Sequence, residues 1–327
     1  MSAPRGVAEA SSVDAGGRCT DAAGDVSAVW CDSYGQRPAR SGPPPRAPGN
    51  STRSPGRRTG RLGQDDPVPA ACSDPAELHD RCTTTVVTEG ERIGVLAEEL
   101  AAGRTPVSGG LAVAVPWLPA WTVRDLVAHL GAVHRWATEI LRAGSTARPG
   151  PASRFTPPDD DLAGWYATGL TELVAALRTV EPDAPAWHMS PAASHTARDW
   201  SRRQAHEHVV HRLDMEVAAG VPHAPVDPLL AADGVDELLG IVLPRWQHSA
   251  PLATGRARIT VTAVDVDRCW LVEVGDGTVR TMQGRTGAAG DTALTGTAEQ
   301  LLRRLWGRPA DVTVTGDPSA ESLLRGR

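Results

Sequence analysis

Apolar positions along the chain first follow a helical spacing and later alternate with polar ones. In residues 87–100, apolar side chains recur three or four positions apart, and three later segments repeat this spacing. The pattern predicts four helices, over residues 87–100, 122–142, 160–180 and 198–219. Four helices joined by loops rich in Pro and Gly are typical of a helical bundle.

Two of the predicted helix ends carry specific signals. Thr122 and Asp125 form a variant of the capping box, with Asp in place of Glu. Gly220 and Pro222 are typical of a helix end and close the fourth helix.

The pattern changes after Pro225. Residues 227–239 predict one more helix, and apolar and polar residues then alternate with a period of two. The predicted strands cover residues 257–264, 268–274, 278–281, 292–296 and 312–316, with a helix over 297–306. This part of the chain therefore predicts a small α+β domain.

Residues 1–84 differ from the rest of the chain. Arg, Gly, Ser and Pro recur there without a period, and no amphipathic segment lasts two turns. Such a segment cannot bury enough apolar surface to offset the entropy of ordering it. We therefore predict a disordered extension over 1–84, a bundle over 85–225 and an α+β domain over 226–327.

Composition narrows the function classes. The formal net charge is −6, so no basic field indicates a nucleic acid or an anionic membrane as partner. No apolar run approaches the roughly 18 residues of a membrane helix, and no signal peptide is recognisable. The five cysteines are scattered, without a C-x-x-C pair. These features predict a cytoplasmic protein.

The fourth predicted helix contains many ionisable side chains, and several of them are candidates for a functional site. Glu207 and His211 are four residues apart and share one helix face, with Asp214 a further turn along. Beside an apolar stripe such a pair can share a metal ion, but it can equally form a contact on the helix surface. The H-E-x-x-H metalloprotease motif is excluded because Val210 stands where its second His is required.

A catalytic zinc site normally has three protein ligands and an open position. In a bundle the third ligand has to come from a facing helix. His129 lies at the edge of the buried stripe of the second helix and is the best candidate. His134, five residues on, points to another side of that helix and is a poor substitute.

Four separated motifs resemble the actinobacterial family of mycothiol-dependent maleylpyruvate isomerases. They read W-T-V-R-D-L-V-A-H-L at 121–130, R-Q-A-H-E-H-V-V-H-R-L-D at 203–214, A-D-G-V-D-E-L-L at 232–239 and G-T-A-E-Q-L-L-R-R-L-W-G-R-P at 296–309. The motifs occur in the family's order, and the resemblance covers about residues 86–327.

The resemblance implies an α+β protein, with a DinB-like four-helix bundle before a small sterol-carrier-like α/β domain. It implies a divalent metal, which is zinc in the type member of the family, held by His129, Glu207 and His211. It also implies mycothiol as a thiol cofactor and a role for Arg308 in substrate binding. The cofactor then supplies the nucleophile, and the chain supplies none.

The implied reaction is a cis–trans isomerisation, in which a metal-activated thiolate adds to the substrate, the new single bond rotates and the thiolate leaves. Two alternatives stay open: a mycothiol S-transferase acting on electrophiles, and a non-catalytic protein that binds a metal or a small molecule. The expected partners are a small-molecule substrate and mycothiol, with no nucleic acid and no membrane. The chain is expected to be a monomer or a small homo-oligomer.

The sequence predicts the roles of the other residues less specifically. Asp214 either orients His211 or a neighbouring Arg in a second shell, or serves in capping and ion pairing. Arg308 has an alternative role at a helix end. We expect His206 and His208 at the helix surface or the core edge, with a second-shell position as the alternative. We expect three arginines (Arg202, Arg203 and Arg212) as solvated charges, with contacts to the thiol ligand as the alternative. Cys269 and five tryptophans are expected in the core, the latter being Trp117, Trp121, Trp136, Trp165 and Trp306.

Overall fold

The computed structural model describes residues 74–249, 255–275, 277–284 and 290–325. The helices of the first half are α1 Pro75–Ala101, α2 Val123–Ala143, α3 Leu162–Thr179 and α4 Ala197–Ala219. The later helices are α5 Pro228–Glu237, α6 Leu243–Ser249 and α7 Ala298–Leu305. Within the described residues no helix combines the length and the apolarity that crossing a membrane requires.

Helix α1 begins earlier than the sequence pattern predicts. Its N-cap is Asp74, whose side chain accepts a hydrogen bond from the Ala76 amide at 2.9 Å. The predicted boundary at residue 84 is therefore wrong, because the first turns of α1 bury polar or weakly apolar side chains that leave no helical stripe. Among them, His79 is buried and its Nε2 lies 2.8 Å from the carbonyl oxygen of Leu177. Residues 1–73 of the predicted extension lie outside the described residues.

The capping box at the start of α2 is confirmed. The Asp125 amide donates to Thr122 Oγ1 at 3.3 Å, and the Thr122 amide donates to Asp125 Oδ2 at 2.8 Å. At the other end Gly144 takes the left-handed conformation, with φ of 54°. The cap therefore fixes the first residue of α2. His129 lies on the second turn of this helix, and its direction follows from that start.

Helices α2 and α3 approach closely at Gly131. A Cβ atom added at this position would lie 2.2 Å from Cζ3 of Trp165. The Trp165 ring is held from outside by the Arg135 guanidinium, which lies 4.1 Å from the ring centroid. The indole therefore has little freedom to make room for a side chain.

We expect Gly131→Ala to lower the free energy of unfolding by about 1–3 kcal/mol, the usual effect of overpacking a core. Urea unfolding followed by circular dichroism measures this change. Gly240→Ala is the matched control, because a Cβ atom there meets nothing within 4 Å. Equal losses in the two variants would contradict the packing argument.

Helix α4 is rich in charge and nevertheless buried. Every residue from position 203 to 216 is buried, because each ionisable side chain has a partner on another element or one turn away. Arg203 pairs with Glu207 and Glu237, and Arg212 pairs with Glu89 and Glu216. The prediction of solvated charges is therefore wrong for Arg203 and Arg212. It is also wrong for Arg202, which pairs with Asp233 and Asp236.

The C-terminal region forms a five-stranded sheet in the order β5-β4-β3-β6-β7. Its strands are β3 Ala257–Ala263, β4 Arg268–Gly275, β5 Thr278–Gly284, β6 Thr292–Gly296 and β7 Thr313–Thr315. Strands β3 and β6 run parallel, and the other neighbours are antiparallel. Leu301 and Leu302 of α7 are fully buried, as are Trp270 and, as predicted, Cys269. The predicted α+β fold class is confirmed.

The sequence pattern did not predict a short hairpin before α2 or the continuation of α5. Strands β1 Ala114–Val115 and β2 Leu118–Thr122 form a short hairpin, whose prolines at 116 and 119 weaken its strand pattern. Helix α5 continues through a π-helical segment, Leu238–Val242, into α6. This continuation carries Arg245 and Trp246 to the boundary between the bundle and the sheet domain.

Candidate metal centre

Three side chains from two helices of the bundle converge at one point. His129 comes from α2, and Glu207 and His211 come from α4. The Nε2 atom of His129 lies 3.1 Å from Glu207 Oε1, and Nε2 of His211 lies 3.5 Å from the same oxygen. One ligand atom from each residue lies within 4.8 Å of the others. Glu207 and His211 are fully buried, whereas the side chain of His129 is 14% exposed.

The spacing of these atoms fits a divalent ion. Nitrogen and oxygen ligands lie about 2.0–2.2 Å from zinc, so two of them at a tetrahedral angle are about 3.3–3.6 Å apart. The observed separations of 3.1 and 3.5 Å lie close to this range. Two imidazoles and one carboxylate also match the donor set of catalytic zinc sites that keep an open position.

Asp214 holds the ring of His211 from behind. The Nδ1 atom of His211 lies 2.9 Å from Asp214 Oδ2, so the carboxylate accepts a hydrogen bond from Nδ1–H and the Nε2 side of the ring faces the cluster. Burial alone would raise the pKa of Asp214, but the charge of Arg308 and hydrogen bonds from both partners hold it below its ordinary value. Asp214 is therefore an ionised acceptor near neutral pH.

Arg308 reaches Asp214 from the sheet domain. Its Nε donates to Asp214 Oδ1 at 3.0 Å and its Nη2 donates to Asp214 Oδ2 at 2.6 Å, a bidentate pair. Both side chains are fully buried. The predicted role of Arg308 in substrate binding stays a prediction, and in this arrangement its guanidinium contacts Asp214 and the carbonyl oxygen of Trp306.

Arg203 holds the other oxygen of Glu207. Its Nη2 donates to Glu207 Oε2 at 2.9 Å, which leaves Oε1 facing the two histidines. Burial would raise the pKa of Glu207, but hydrogen bonds from His129 and His211 and the charge of Arg203 hold it well below its usual range. The carboxylate is therefore ionised and oriented, as a metal ligand has to be.

Trp121 forms a wall beside the two histidines. Its ring centroid lies 4.9 Å from that of His129 and 6.4 Å from that of His211. The sequence pattern placed Trp121 in the core, and the structure finds it half-buried against the cluster. The sequence gives one indication of this contact. Trp121 directly precedes the N-cap Thr122 of the helix that carries His129.

The remaining histidines of α4 lie outside the cluster. His208 stacks on His134, with 2.9 Å between their Nε2 atoms, and His206 pairs with Asp233 at 2.7 Å. Both α4 histidines are fully buried, so the expectation of a helix-surface position is wrong. Burial lowers the pKa of His208 to about 4, so this imidazole is neutral at physiological pH.

The fold and the cluster define a class of protein in which a helical bundle is joined to a five-stranded sheet. A helical bundle supplies a His, Glu and His set, and an arginine from an attached five-stranded α/β domain supports that set through an aspartate. The chain belongs to the mycothiol maleylpyruvate isomerase family, which is a family of enzymes. Residues 94–216 match the family's N-terminal domain and residues 230–320 match its C-terminal domain, together more than half of the chain. The predicted family is therefore confirmed.

The matched ranges leave a gap that contains the predicted domain boundary at 225, and this division stays a prediction.

Two solved structures are also similar. One is a mycothiol-dependent maleylpyruvate isomerase, with 14% identity over 75% of this chain and 96% of that chain and a TM-score of 0.49. The other is a histidine-to-alanine mutant of such an isomerase, with 13% identity, the same coverage and the same TM-score. No curated protein matches the chain significantly.

Proposed function

We propose that this protein is a divalent-metal enzyme that uses mycothiol to isomerise an unsaturated substrate of the maleylpyruvate type from cis to trans. The observation that carries the proposal is the convergence of His129, Glu207 and His211 within 4.8 Å. Membership of the family supports mycothiol as the thiol cofactor. We propose zinc because catalytic zinc sites commonly use imidazole and carboxylate ligands.

A divalent ion at this site would supply a Lewis acid that lowers the pKa of a coordinated thiol. The chain's own residues prepare the site for it. Asp214 accepts a hydrogen bond from His211 Nδ1–H, and Arg203 keeps Glu207 ionised and oriented. The ring of Trp121, a residue of β2, lies beside both histidines.

The reaction needs no nucleophile from the chain. The sulfur of mycothiol bonds to one carbon of the double bond, and the electron pair of that bond moves toward the conjugated carbonyl group. The former double bond is then single and rotates. Elimination of the thiolate forms the trans double bond again, so the atoms and electrons balance without an oxidant or a reductant.

One preparation tests the proposal. We expect the purified protein to contain one divalent ion per chain by elemental analysis, and to isomerise maleylpyruvate only when mycothiol is present. A protein without stoichiometric metal would contradict the site. Mycothiol conjugation to monochlorobimane without isomerisation would favour the S-transferase alternative, and metal without either activity would favour a non-catalytic binding protein. A cytoplasmic location stays a prediction.

A further inference from the structure

A buried carboxylate from the second half of the chain lies one ion pair away from the candidate metal centre. Glu237 is the last residue of α5, and its Oε2 accepts a hydrogen bond from Arg203 Nη1 at 2.5 Å. The other terminal nitrogen of the same guanidinium, Nη2, donates to Glu207 Oε2 at 2.9 Å. Arg203 therefore joins Glu237 to a residue of the cluster, and all three side chains are at most 4% exposed.

These three side chains form a buried triad with one net negative charge. Arg203 has a single positive charge, which it divides between the carboxylates of Glu207 and Glu237. Arg203 and Glu207 alone would be a neutral pair, and a divalent ion beside them would gain no net counter-charge from that pair. A buried charge costs much free energy unless an opposite charge lies close to it. The carboxylate of Glu237 therefore favours a cation at the cluster.

The pairing with Glu237 also limits how Arg203 can bind Glu207. A guanidinium commonly binds one carboxylate through two parallel hydrogen bonds, which occupy both carboxylate oxygens. Here Nη1 is engaged by Glu237, and Nη2 donates to Oε2 of Glu207. Oε1 of Glu207 lies instead 3.1 Å from Nε2 of His129 and 3.5 Å from Nε2 of His211. Sharing the guanidinium thus leaves one ligand oxygen turned toward the histidines.

The backbone that follows Glu237 is anchored on two sides. The π-helical segment begins at the next residue, and two of its carbonyl oxygens accept hydrogen bonds from side chains. Thr281 Oγ1 of β5 donates to Leu239 at 2.8 Å, and Ser190 Oγ of the loop before α4 donates to Ile241 at 2.7 Å. Segments of π-helix occur frequently at functional sites. These contacts fix the end of α5 that carries Glu237.

We propose that Glu237 is a positioning residue of the metal centre, which acts on Glu207 through Arg203. It keeps one oxygen of Glu207 turned toward the two histidines and supplies a negative charge that favours a buried divalent ion. The inference rests on the proposed function, because that function places a divalent ion at the cluster. It adds a determinant of metal affinity that lies outside the ligand set and comes from the other half of the chain.

Competition between the full-length protein and a zinc chelator tests this role. We expect Glu237→Gln to lower the zinc affinity about 10-fold to 100-fold, the usual effect of changing a group that supports a metal ligand. Glu237→Asp keeps the charge but shortens the reach to Arg203, so an intermediate affinity is expected.

Asp236→Asn is the matched control. Asp236 precedes Glu237 on α5, and its Oδ2 lies 2.9 Å from Arg202 Nη2. Within the described residues the ion pairs of Arg202 are with Asp233 and Asp236, so this arginine does not connect α5 to Glu207. We expect Asp236→Asn to keep the zinc affinity of the wild type, although it also loses an ion pair between α5 and α4.

Two further measurements separate positioning from a loss of packing. Urea unfolding with and without zinc gives the stabilisation by the bound ion, which depends on its affinity and not on the stability of the metal-free chain. We expect this stabilisation to fall in Glu237→Gln and to be unchanged in Asp236→Asn. In the cobalt-substituted protein, the visible absorption of Glu237→Gln is expected to differ from that of the wild type, because a ligand changes its orientation. Asp236→Asn is expected to keep the wild-type spectrum.

A wild-type zinc affinity and cobalt spectrum in Glu237→Gln would overturn the inference. Equal losses of affinity in Glu237→Gln and Asp236→Asn would also overturn it, since they would show a general loosening of α5 against α4. If Glu237→Gln does not fold, a wild-type affinity in Glu237→Asp would overturn it. A wild type without stoichiometric zinc would overturn the proposed function, whereas a zinc-loaded wild type with unchanged variants would overturn only the role of Glu237.

Discussion

Replacing His211 by alanine is expected to remove the bound metal and, with it, the mycothiol-dependent activity. The variant keeps only His129 and Glu207, one ligand fewer than a catalytic zinc site requires. The loss of activity is expected to exceed the roughly 100-fold effect of removing a partner that only supports a ligand. Elemental analysis of the purified variant and an isomerisation assay with maleylpyruvate and mycothiol measure the two effects.

His208→Ala is the control for this experiment. His208 is a buried histidine of the same helix, but its ring contacts His134 and the carbonyl oxygen of Gln204 rather than the cluster. We expect this variant to be less stable because of the cavity it creates, and to keep stoichiometric metal. Equal metal loss in the two variants would contradict the assignment of His211 as a ligand.

The second large effect is expected from Asp214→Asn. The amide keeps the size of the side chain and removes the charge opposite Arg308. Breaking a buried ion pair from one side typically costs about 3–5 kcal/mol, because the remaining charge stays buried without its partner. His211 also loses its carboxylate acceptor, so the metal affinity is expected to fall about 10-fold to 100-fold. Urea unfolding and a competition titration with a zinc chelator measure the two losses.

The double variant Asp214→Asn/Arg308→Met separates the two roles of Asp214. Removing both charges is expected to restore much of the stability, since apolar replacements of buried ion pairs are often well tolerated. It is not expected to restore the metal affinity, because the acceptor of His211 is still changed. Recovery of both properties would show that Asp214 has a structural role alone.

Protonation of Asp214 at acidic pH is expected to weaken its ion pair with Arg308, as Asp214→Asn does. The pKa of Asp214 is lowered in the folded chain from its ordinary value of 3.8. The stability that the ion pair contributes is therefore fully present above pH 4 and is lost as the pH falls through the folded-state pKa. The difference in unfolding free energy between the wild type and Asp214→Asn is expected to shrink over that range.

The sequence predicts the four bundle helices and the α+β class because these depend on local periodicity. It also predicts that Glu207 and His211 share a face, since their spacing matches one helical turn. That His129 faces them from α2 depends on how the two helices pack. Its place at the edge of the buried stripe makes it the best candidate, and the resemblance to a family implies the same residue. The structure brings the three side chains together, and their role as metal ligands stays a prediction.

The contacts that support the cluster could not be predicted in the same way. Arg308 lies 94 residues from Asp214, and Glu237 lies 34 residues from Arg203. Periodicity locates an apolar stripe but contains no information on which distant charge will neutralise a polar side chain. The sequence therefore predicts Arg202, Arg203 and Arg212 as solvated charges, although each of them pairs with a carboxylate of another element.

This burial ties the two halves of the chain into one cooperative unit. Three charged side chains of the bundle, Arg202, Arg203 and Asp214, are paired from beyond residue 225. Their partners are Asp233 and Asp236, Glu237 and Arg308, respectively. A bundle cut at that boundary would have to bury those charges alone or leave α4 in water. We therefore expect that neither half is autonomous, and that recombining one half with that of a relative succeeds only when these ion pairs are exchanged with it.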